Sequence, residues 1–455
     1  MKRFSNIIIC AVIAVLVSSC SLYTKFERPT VRNLHELYPA DTTYGRLADL
    51  EWREFFTDTM LQKYIARGLE YNIDLRNAHA KVLQAEATLE ASKMAFLPSV
   101  NASLNATLKG SSASDGTTFS YSLIPSASWE VDAFGSLRNA QRGAAASYEA
   151  SVFYEQAVRS KLVVTIANSY YTLLMLDEQL KTSQRTLDTW EENIRTLTAL
   201  KRAGKATEAA VLQAKANKFS IEGSIITLER QISEQENAFA TLMGVLPFEI
   251  ERGTLKEQQF PEEFSVGVPL ELVALRPDVR VAEAELATKF YAVNEAKAAF
   301  YPQITLSGSA GWSDAAGKAI ANPGEFIGSL VGGIVQPIFS KGINKSRLKI
   351  AEAQQDAAIM QYRQALLNAG AEVNNSVMLW QTAKQRLAID LKQVVTLRAA
   401  VYNTQLLMKY GSASYLEVLT AQQNLLNAEL AESSDRYAEI QGIISLYYAL
   451  GGAAE

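Results

Sequence analysis

The chain of 455 residues is poor in cysteine, histidine and proline. Its two cysteines, Cys10 and Cys20, lie within the first twenty residues, and its two histidines are His35 and His79. These residues form no metal-ligand cluster, and the sequence has no phosphate-binding glycine loop and no lipase-like serine motif. We therefore expect no enzymatic activity and no cofactor. The small number of prolines, 11, favours long regular elements.

The N-terminal residues have the pattern of a bacterial lipoprotein signal. Lys2 and Arg3 precede the apolar run 7–17, which is shorter than the roughly 20 residues that a membrane-spanning helix needs. Small residues then precede Cys20. We predict that residues 1–19 are a cleaved signal peptide and that Cys20 carries covalent lipid, including palmitate. Ser21, in place of an aspartate, favours the outer membrane under the sorting rule of enteric bacteria. The alternative is an ordinary signal peptide with a chance cysteine.

The charge of the mature chain argues against nucleic acid as a partner. Removal of residues 1–19 takes away two basic residues and leaves 42 basic against 48 acidic residues, a net charge of −6. A nucleic-acid-binding surface is normally basic.

The remaining chain is predicted to be an internal duplication. Residues 72–100 match residues 276–304 at an offset of 204, and residues 201–217 match residues 408–424 at an offset of 207. This period is far above the 20–50 residues of solenoid repeats. We predict a lipidated segment at 20–60, a first repeat at 61–250, a linker at 251–268 and a second repeat at 269–455.

Each repeat is predicted to contain two membrane strands, at about 97–131 and about 301–338. Val100 and Leu104, for example, alternate with Asn101 and Ser103. Segments of about 10 residues with one apolar and one hydroxyl- or amide-rich face suit a membrane β-barrel with a wet lumen. The aromatic residues that fit an interfacial girdle are Phe119, Trp129 and Trp312. The fourth strand, within 326–338, is weaker and rich in Gly and Val. The alternative is a pair of hairpins in a soluble sandwich.

Long helical hairpins are predicted after each strand pair, at 136–245 and 343–450. Residues 136–203 and 343–410 contain no proline. A helix of this length extends about 100 Å at about 1.5 Å per residue. Gly204 and Gly411 are placed to make tight turns before the return helices. A soluble coiled-coil rod is the alternative, but it does not account for the strands.

Four membrane strands cannot close a barrel by themselves. The smallest such barrels have about eight strands, and open strand edges are not tolerated in lipid. The chain is therefore expected to assemble in copies. A dimer would give eight strands around a filled interior, whereas a trimer would give twelve around a channel.

Several segments resemble the outer-membrane factors of tripartite efflux pumps, the TolC-like channels, and within them the lipidated branch that serves pumps of the resistance–nodulation–division type. The most specific are SWEVDAFGSLR, ALRPDVRVAEAEL and YGSASYLEVLTAQQNLL. The resemblance implies a mixed α and β fold. A homotrimer would form a twelve-stranded outer-membrane β-barrel joined to a long periplasmic α-helical barrel. It also implies a passive exit duct, lipid-anchored in the outer membrane, whose partners are a periplasmic adaptor, an inner-membrane pump and outer-membrane lipid.

The resemblance also implies that the channel narrows at the periplasmic helix tips. The residues assigned to this tip and gate region are Lys201, Arg202, Gly204, Lys205, Glu208, Lys409, Tyr410, Gly411, Glu417 and Thr420. Many relatives carry an aspartate where this chain has Thr420. Glu417, and Glu208 as its counterpart in the first repeat, are the alternative sources of charge. A solvated helix face is the competing interpretation of both glutamates.

Two other functions are compatible with the sequence. One is a structural lipoprotein that tethers membranes without conducting, and the other is a channel of the same architecture that exports proteins instead of small compounds. The transported substrate leaves no pattern in this chain.

Overall fold

The computed structural model describes residues 24–28, 50–111, 114–260, 274–314 and 325–452. The predicted signal peptide at 1–19, the predicted lipid attachment residue Cys20 and most of the segment 20–60 lie outside the described residues, as does part of the linker 251–268.

The described chain has the predicted mixed architecture, with eight helices and four strands among these residues. In chain order they are α1 (Trp52–Phe55), α2 (Thr59–Tyr71), α3 (Ile73–Met94), β1 (Ser99–Ser111), β2 (Ser114–Val131), α4 (Ser136–Arg202), α5 (Glu208–Leu242), α6 (Pro277–Ala298), β3 (Gln303–Asp314), β4 (Glu325–Val335), α7 (Ile343–Lys409) and α8 (Tyr415–Ala449). No helix of the described ranges contains an apolar stretch long enough to cross a membrane.

The internal duplication is present in the lengths of these elements. The helices α3 and α6 both have 22 residues, α4 and α7 both have 67, and α5 and α8 both have 35. The long helices are one residue shorter than the proline-free runs of the sequence. They end where glycines with positive φ, Gly204 and Gly411, interrupt the helical backbone.

In each repeat, one side chain at a matching position connects the start of one helix to the last turn of another through a hydrogen bond. The Asn72 side chain accepts a hydrogen bond from the Leu75 N–H at 3.0 Å, and its Nδ2 donates to the carbonyl of Leu242 at the end of α5 at 2.8 Å. Asn72 is therefore the N-cap of α3, and Asp74 lies within the first turn of that helix.

In the second repeat, the position matching Asn72 is occupied by Arg276, which is 2% exposed. Its guanidinium donates to the carbonyl of Ala449 at 3.1 Å, at the end of α8, and pairs with Asp278 at 2.8 Å and with Glu372 at 2.6 Å. A buried guanidinium is stable only when paired and hydrogen-bonded. The ALRPDVR motif thus has a structural role.

The strands form one antiparallel sheet in the order β1-β2-β3-β4. Pro125 lies in the central strand β2, where a proline lacks the N–H that a ladder needs. The β2–β3 ladder is interrupted beside Pro125. The pair Leu123↔Trp312 is followed directly by the pair Ser126↔Ser309, with no pair between them. A Cβ at Gly311 of β3 would lie 2.2 Å from the Leu123 carbonyl oxygen, so this close approach of two backbones requires glycine.

The chain divides into two compact units. One contains the sheet, within Ala80–Val152 and Val281–Gln364, and the other contains Phe153–Arg280 and Ala365–Glu455 together with the segment Val31–His79. The second unit has an aromatic core, in which Phe55 stacks on Tyr447 with ring centroids 4.1 Å apart. Each unit draws on both repeats, so neither repeat folds as an independent domain.

Candidate functional site

The sheet has one apolar and one mainly polar face, because residues paired across neighbouring strands share a face. The exposed residues of the apolar face are Val100, Leu104, Leu108, Phe119, Leu123, Trp129, Leu306, Trp312, Phe326, Leu330 and Ile334. The hydroxyl and amide side chains of the other face are Asn101, Ser103, Asn105, Thr107, Ser120, Ser122, Ser126, Ser128, Thr305, Ser307, Ser309 and Ser329. An exposed apolar face suits contact with lipid, and a face of hydroxyl and amide side chains, with the carboxylate of Glu130 near its end, suits contact with water.

Hydroxyl groups of the polar face form hydrogen bonds within the sheet. Ser103 Oγ donates to the carbonyl of Ile124 at 3.1 Å, and Ser309 and Ser329 share a hydrogen bond of 2.8 Å between their hydroxyl oxygens. These groups are partly satisfied within the sheet and carry no charge. Such a surface is wetted without binding ions strongly.

The polar face does not extend over all of β4. Ile327, Val331 and Val335 occupy positions that share a face with the serines of β3, so this side of β4 is mainly apolar, with Ser329 as its polar member. The run of glycine and aliphatic residues was visible in the sequence, where it indicated only a weaker strand.

The aromatic residues of the apolar face lie at different levels along the sheet, with Trp129 at one end and Trp312, Phe326 and Phe119 further along. Trp129 is near one end of β2, and its indole N–H donates to the Phe96 carbonyl at 2.9 Å. Trp312 pairs with Leu123 and contacts Phe326 edge-on at 5.9 Å, while Phe119 lies further along β2. At about 3.3 Å per residue, Trp129 is about 20 Å from the level of Trp312 and about 33 Å from that of Phe119. The apolar band of a membrane barrel, about 25 Å, falls within this range.

The first predicted tip is a tight glycine turn between α4 and α5. Gly204 has φ of 71°. Its N–H donates to the Lys201 carbonyl at 2.9 Å, and the Lys205 N–H donates to the Leu200 carbonyl at 2.8 Å. These are the two hydrogen bonds of a Schellman C-cap. Thr207 then caps α5 by accepting from the Ala210 N–H at 3.2 Å.

The second tip repeats this geometry between α7 and α8. Gly411 has φ of 81°, its N–H donates to the Met408 carbonyl at 3.0 Å, and the Ser412 N–H donates to the Leu407 carbonyl at 2.8 Å. Added Cβ atoms at Gly204 and Gly411 would meet nothing within 4 Å. Glycine is needed at both positions for its backbone conformation and not for lack of space.

The predicted gate charges are engaged in local contacts. Glu208 forms an ion pair with Lys201. The Glu417 carboxylate accepts from the Ser414 N–H at 3.3 Å and from the Ser414 hydroxyl at 2.9 Å, which stabilises the start of α8. Thr420 is exposed, and its hydroxyl donates to the Leu416 carbonyl of its own helix at 2.9 Å.

The expectation that Glu208 is the counterpart of Glu417 is wrong. Glu208 is the first residue of α5, and the first residue of α8 is Tyr415. Glu417 corresponds to Ala210 of the first repeat. Burial raises the pKa of the Tyr415 hydroxyl, which has no hydrogen-bond partner in the described structure. The two tips therefore share a backbone geometry but not a charge pattern.

Both hairpins are joined beneath the tips by an apolar core. Its buried members are Trp190 and Leu197 of α4, Val211, Ala214 and Ile221 of α5, and Leu419 and Leu426 of α8. This packing fixes the α4–α5 turn and the start of α8 in one unit. The segments that lead into the two tips thus share one buried apolar cluster.

The described residues contain no group of three or more histidine, cysteine, aspartate or glutamate side chains that could hold a metal ion. His79 instead lies 3.0 Å from Glu155 through its Nδ1 atom.

Comparison with known proteins gives a family match over most of the chain. The family model described as "Outer membrane efflux protein" matches residues 65–245 and 268–452. The two matched ranges coincide closely with the two repeats.

Individual relatives match over nearly the whole chain. The probable outer membrane lipoprotein SilC of Salmonella typhimurium is 28% identical over 97% of this chain and 97% of its own. The pyoverdine export outer membrane protein OpmQ of Pseudomonas aeruginosa is 30% identical over 88% of this chain and 87% of its own. The crystal structure of the open state of the Neisseria gonorrhoeae MtrE outer membrane channel superposes with a TM-score of 0.86, at 28% identity, over 95% of this chain and 98% of that chain.

Proposed function

Because this chain belongs to the outer membrane efflux protein family, we propose that it is the passive outer-membrane exit channel of a tripartite efflux system. The observation that carries the proposal is the two-faced sheet. Its exposed apolar face bears aromatic residues at two levels, and its other face bears mainly hydroxyl and amide side chains. A surface of this kind serves a wall between lipid and water. No reacting group is required, since transport is driven elsewhere.

The proposed channel is a homotrimer. Strands β1 and β4 are the edges of the four-stranded sheet, and in lipid each edge must find a partner. Pairing β4 of one copy with β1 of the next closes a barrel whose strand number is a multiple of four. Twelve strands leave an open lumen, whereas eight are filled by side chains.

An exposed apolar seam on α5 supports assembly in copies. Leu212, Phe219 and Ile226 recur every seven residues and are 55%, 65% and 68% exposed. A seven-residue repeat is the spacing of a coiled-coil contact. In the proposed trimer this seam packs against a helix of a neighbouring copy.

The seam has a direct test. Phe219→Glu should reduce the trimer population in native mass spectrometry, because a charge would be placed in an apolar contact. Ser220→Glu adds the same charge at the next exposed position and should leave the trimer intact. Equal trimer populations in both variants would remove the seam from the interface.

The tips and the lipid complete the proposal. The glycine turns at 201–205 and 408–412 are proposed to contact a periplasmic adaptor, which couples the channel to an inner-membrane pump. Cys20 is proposed to carry the lipid anchor in the outer membrane, in line with the name of SilC as a lipoprotein. Several acyl chains would hold the channel stably in the bilayer.

The proposed cargo is drugs or other small toxic compounds. The name of OpmQ records export of pyoverdine, a different cargo handled by a protein of the same family. A lumen lined mainly by hydroxyl and amide side chains fits a duct that accepts what the pump delivers.

The decisive experiment combines conductance with export. Purified full-length protein in planar bilayers should produce steady single-channel currents, and deletion of its gene should sensitise cells to members of a panel of toxic compounds. Absence of conductance would favour a structural lipoprotein. Conductance with normal resistance but lost secretion of a protein would favour a protein-export duct.

A further inference from the structure

The two hairpins of the sheet correspond residue by residue. Ser99 pairs with Ser128 at the base of the β1–β2 hairpin, and Gln303 pairs with Val335 at the base of the β3–β4 hairpin. The offset between matching residues is therefore 204 from β1 to β3 and 207 from β2 to β4. The second offset equals the one between the long helices that follow, which start at Ser136 and at residue 343.

Side-chain hydrogen bonds at the two bases support the same correspondence. The Trp129 indole N–H donates to the Phe96 carbonyl at 2.9 Å, and Gln336 Nε2 donates to the Phe300 carbonyl at 3.0 Å. The two donors are 207 residues apart and the two acceptors are 204 residues apart. Each position of one hairpin thus has a defined counterpart in the other.

The junction between the two repeats is a template for the junction between two copies of the chain. Strand β2 ends the first hairpin and pairs with β3, which begins the second. Strand β4 ends the second hairpin in the same way, and β1 of the next copy begins another. Within the chain, Val131 pairs with Ile304. The offsets of 207 and 204 then place Ile338 opposite Val100 of the next copy.

We infer that β4 pairs with β1 of a second copy in this register. The inference rests on the proposed homotrimer and states which residues of two copies meet. On the apolar face, the pairs between β4 and β1 of the next copy are Ile338 with Val100, Ile334 with Leu104 and Leu330 with Leu108. On the hydroxyl-rich face, the pairs are Val335 with Ser103 and Val331 with Thr107.

The exposure of the apolar members supports this pairing. All six aliphatic residues of the apolar-face pairs are between 68% and 94% exposed in the described chain, whereas Val131 and Ile304 at the equivalent junction within the chain are half-buried. Apolar side chains directly opposite each other stabilise an antiparallel pair of strands. Strand β4 also ends at Val335, three residues before Ile338, the counterpart of the end of β2. A partner strand would continue β4 to this position.

Other registers fit less well. A shift by one residue would turn the apolar residues of one strand toward the hydroxyl-rich face of the other. A shift by two residues keeps the faces but places Ile334 opposite Ala102 or Ala106. On its apolar face the β2–β3 ladder pairs residues of like size, for example Ala127 with Gly308. The register given by the duplication repeats this pattern.

The test is disulfide cross-linking of full-length protein in detergent that carries both Val335→Cys and Ser103→Cys. Both positions are exposed on the hydroxyl-rich face, where a water-soluble oxidant reaches them. Within one chain they lie on opposite edge strands, about 14 Å apart at about 4.8 Å per strand. A disulfide requires Cα atoms within about 7 Å, so any bond between them joins two copies. Mild oxidation should produce covalent trimers on a non-reducing gel, and each single variant should produce none.

Two matched double variants test the neighbouring registers. Val335→Cys is combined with Asn101→Cys in one and with Asn105→Cys in the other. In the inferred register these residues are diagonal neighbours of Val335, about 7–8 Å away, at or beyond the limit for a disulfide. We expect cross-linking to be fastest through Ser103→Cys and largely lost in both controls.

Native mass spectrometry and bilayer conductance of the reduced variants separate the register from the proposed function. Conducting trimers that cross-link fastest through Asn101→Cys or Asn105→Cys, or through none of the three pairs, would overturn the register and leave the channel intact. Reduced protein that neither forms trimers nor conducts would overturn both. Fastest cross-linking through Ser103→Cys into covalent dimers alone would support the register and contradict the homotrimer.

Discussion

The contact between α8 and α7 at Gly442 has no room for a single added methyl group. A Cβ at Gly442 would lie 2.7 Å from Trp380 Cα, 2.8 Å from its backbone nitrogen and 2.9 Å from its Cβ. None of these atoms can rotate away, because two belong to the backbone and the third is fixed to it. Gly442→Ala therefore forces the two helices apart.

The size of the effect follows from a comparison of two glycines in equivalent return helices. Non-bonded carbon atoms normally approach to about 3.5–4.0 Å, so relief requires a shift of about 1 Å. Overpacking of this kind costs about 1–3 kcal/mol. Gly223 of α5 is exposed, and an added Cβ would meet nothing within 4 Å. Gly223→Ala should instead stabilise its helix by about 0.5–1 kcal/mol. Both variants gain the same helix propensity, so their difference reports the contacts of the two added methyl groups, with Trp380 at position 442 and with the proposed seam at position 223.

The assay is urea unfolding of the purified protein in detergent, followed by circular dichroism at the helical band. We expect Gly442→Ala to unfold at lower urea than the wild type and Gly223→Ala at equal or higher urea, with similar slopes. A Gly442→Ala midpoint at or above that of Gly223→Ala would refute the close packing of α8 on Trp380.

Three further predictions address the anchor, the tips and a buried acid. Cys20→Ala should abolish incorporation of labelled palmitate, because no other cysteine remains after residue 19; persistent labelling contradicts the assignment. Gly411→Val should cost about 1–2 kcal/mol at its positive φ of 81° and weaken resistance to toxic compounds while the trimer survives in native mass spectrometry; normal resistance would mean that this turn is not functional. Burial and the neighbouring Asp435 carboxylate raise the pKa of Asp390 from 3.8 to about 6, so the native state binds this proton more tightly than the unfolded chain. The urea midpoint should then fall as pH rises from 3.8 to about 6, and Asp390→Asn should flatten this dependence; an equal slope in wild type and variant would exclude Asp390 as its source.

Much of the fold was predictable because its signals are local or repeated. The alternation at Val100 and Leu104 and the glycines at the two tips each specify a backbone state within a few residues. Because the chain is duplicated, each of these signals occurs once in each repeat, and the matching helices α4 and α7 have equal lengths. The strands were predictable although the alternation of apolar and polar residues in each one is a weak signal, because the same alternation occurs in two hairpins.

The contacts that depend on distant partners were not predictable from pattern. Asn72 and Arg276 look unrelated in the sequence, yet both bind the carbonyl that ends a return helix. Glu429 of α8 pairs with Arg185 of α4, 244 residues away along the chain, and with Arg398 of α7, and no spacing within one helix reveals this contact. Glu208 was predicted to match Glu417 by alignment of the repeats, whereas the helix starts at Glu208 and Tyr415 make Ala210 the counterpart of Glu417.

The two tips illustrate what a duplication retains and what it allows to change. Backbone hydrogen bonds define the glycine turns, so Gly204 and Gly411 keep the same geometry, with φ of 71° and 81°. Side chains on an exposed turn are under no such restriction: Arg202 of the first tip corresponds to Lys409 of the second, but Ala203 corresponds to Tyr410, which is 78% exposed.

In the proposed trimer, tips with and without an exposed tyrosine would alternate around the axis. A partner that binds both kinds of tip must therefore present two different surfaces, and one that prefers the aromatic tip would bind three times per channel. Tyr410→Ala, compared with Ala203→Tyr, distinguishes the two cases: loss of adaptor binding in the first variant alone supports recognition of the aromatic tip, and unchanged adaptor binding in both variants would show that neither side chain takes part.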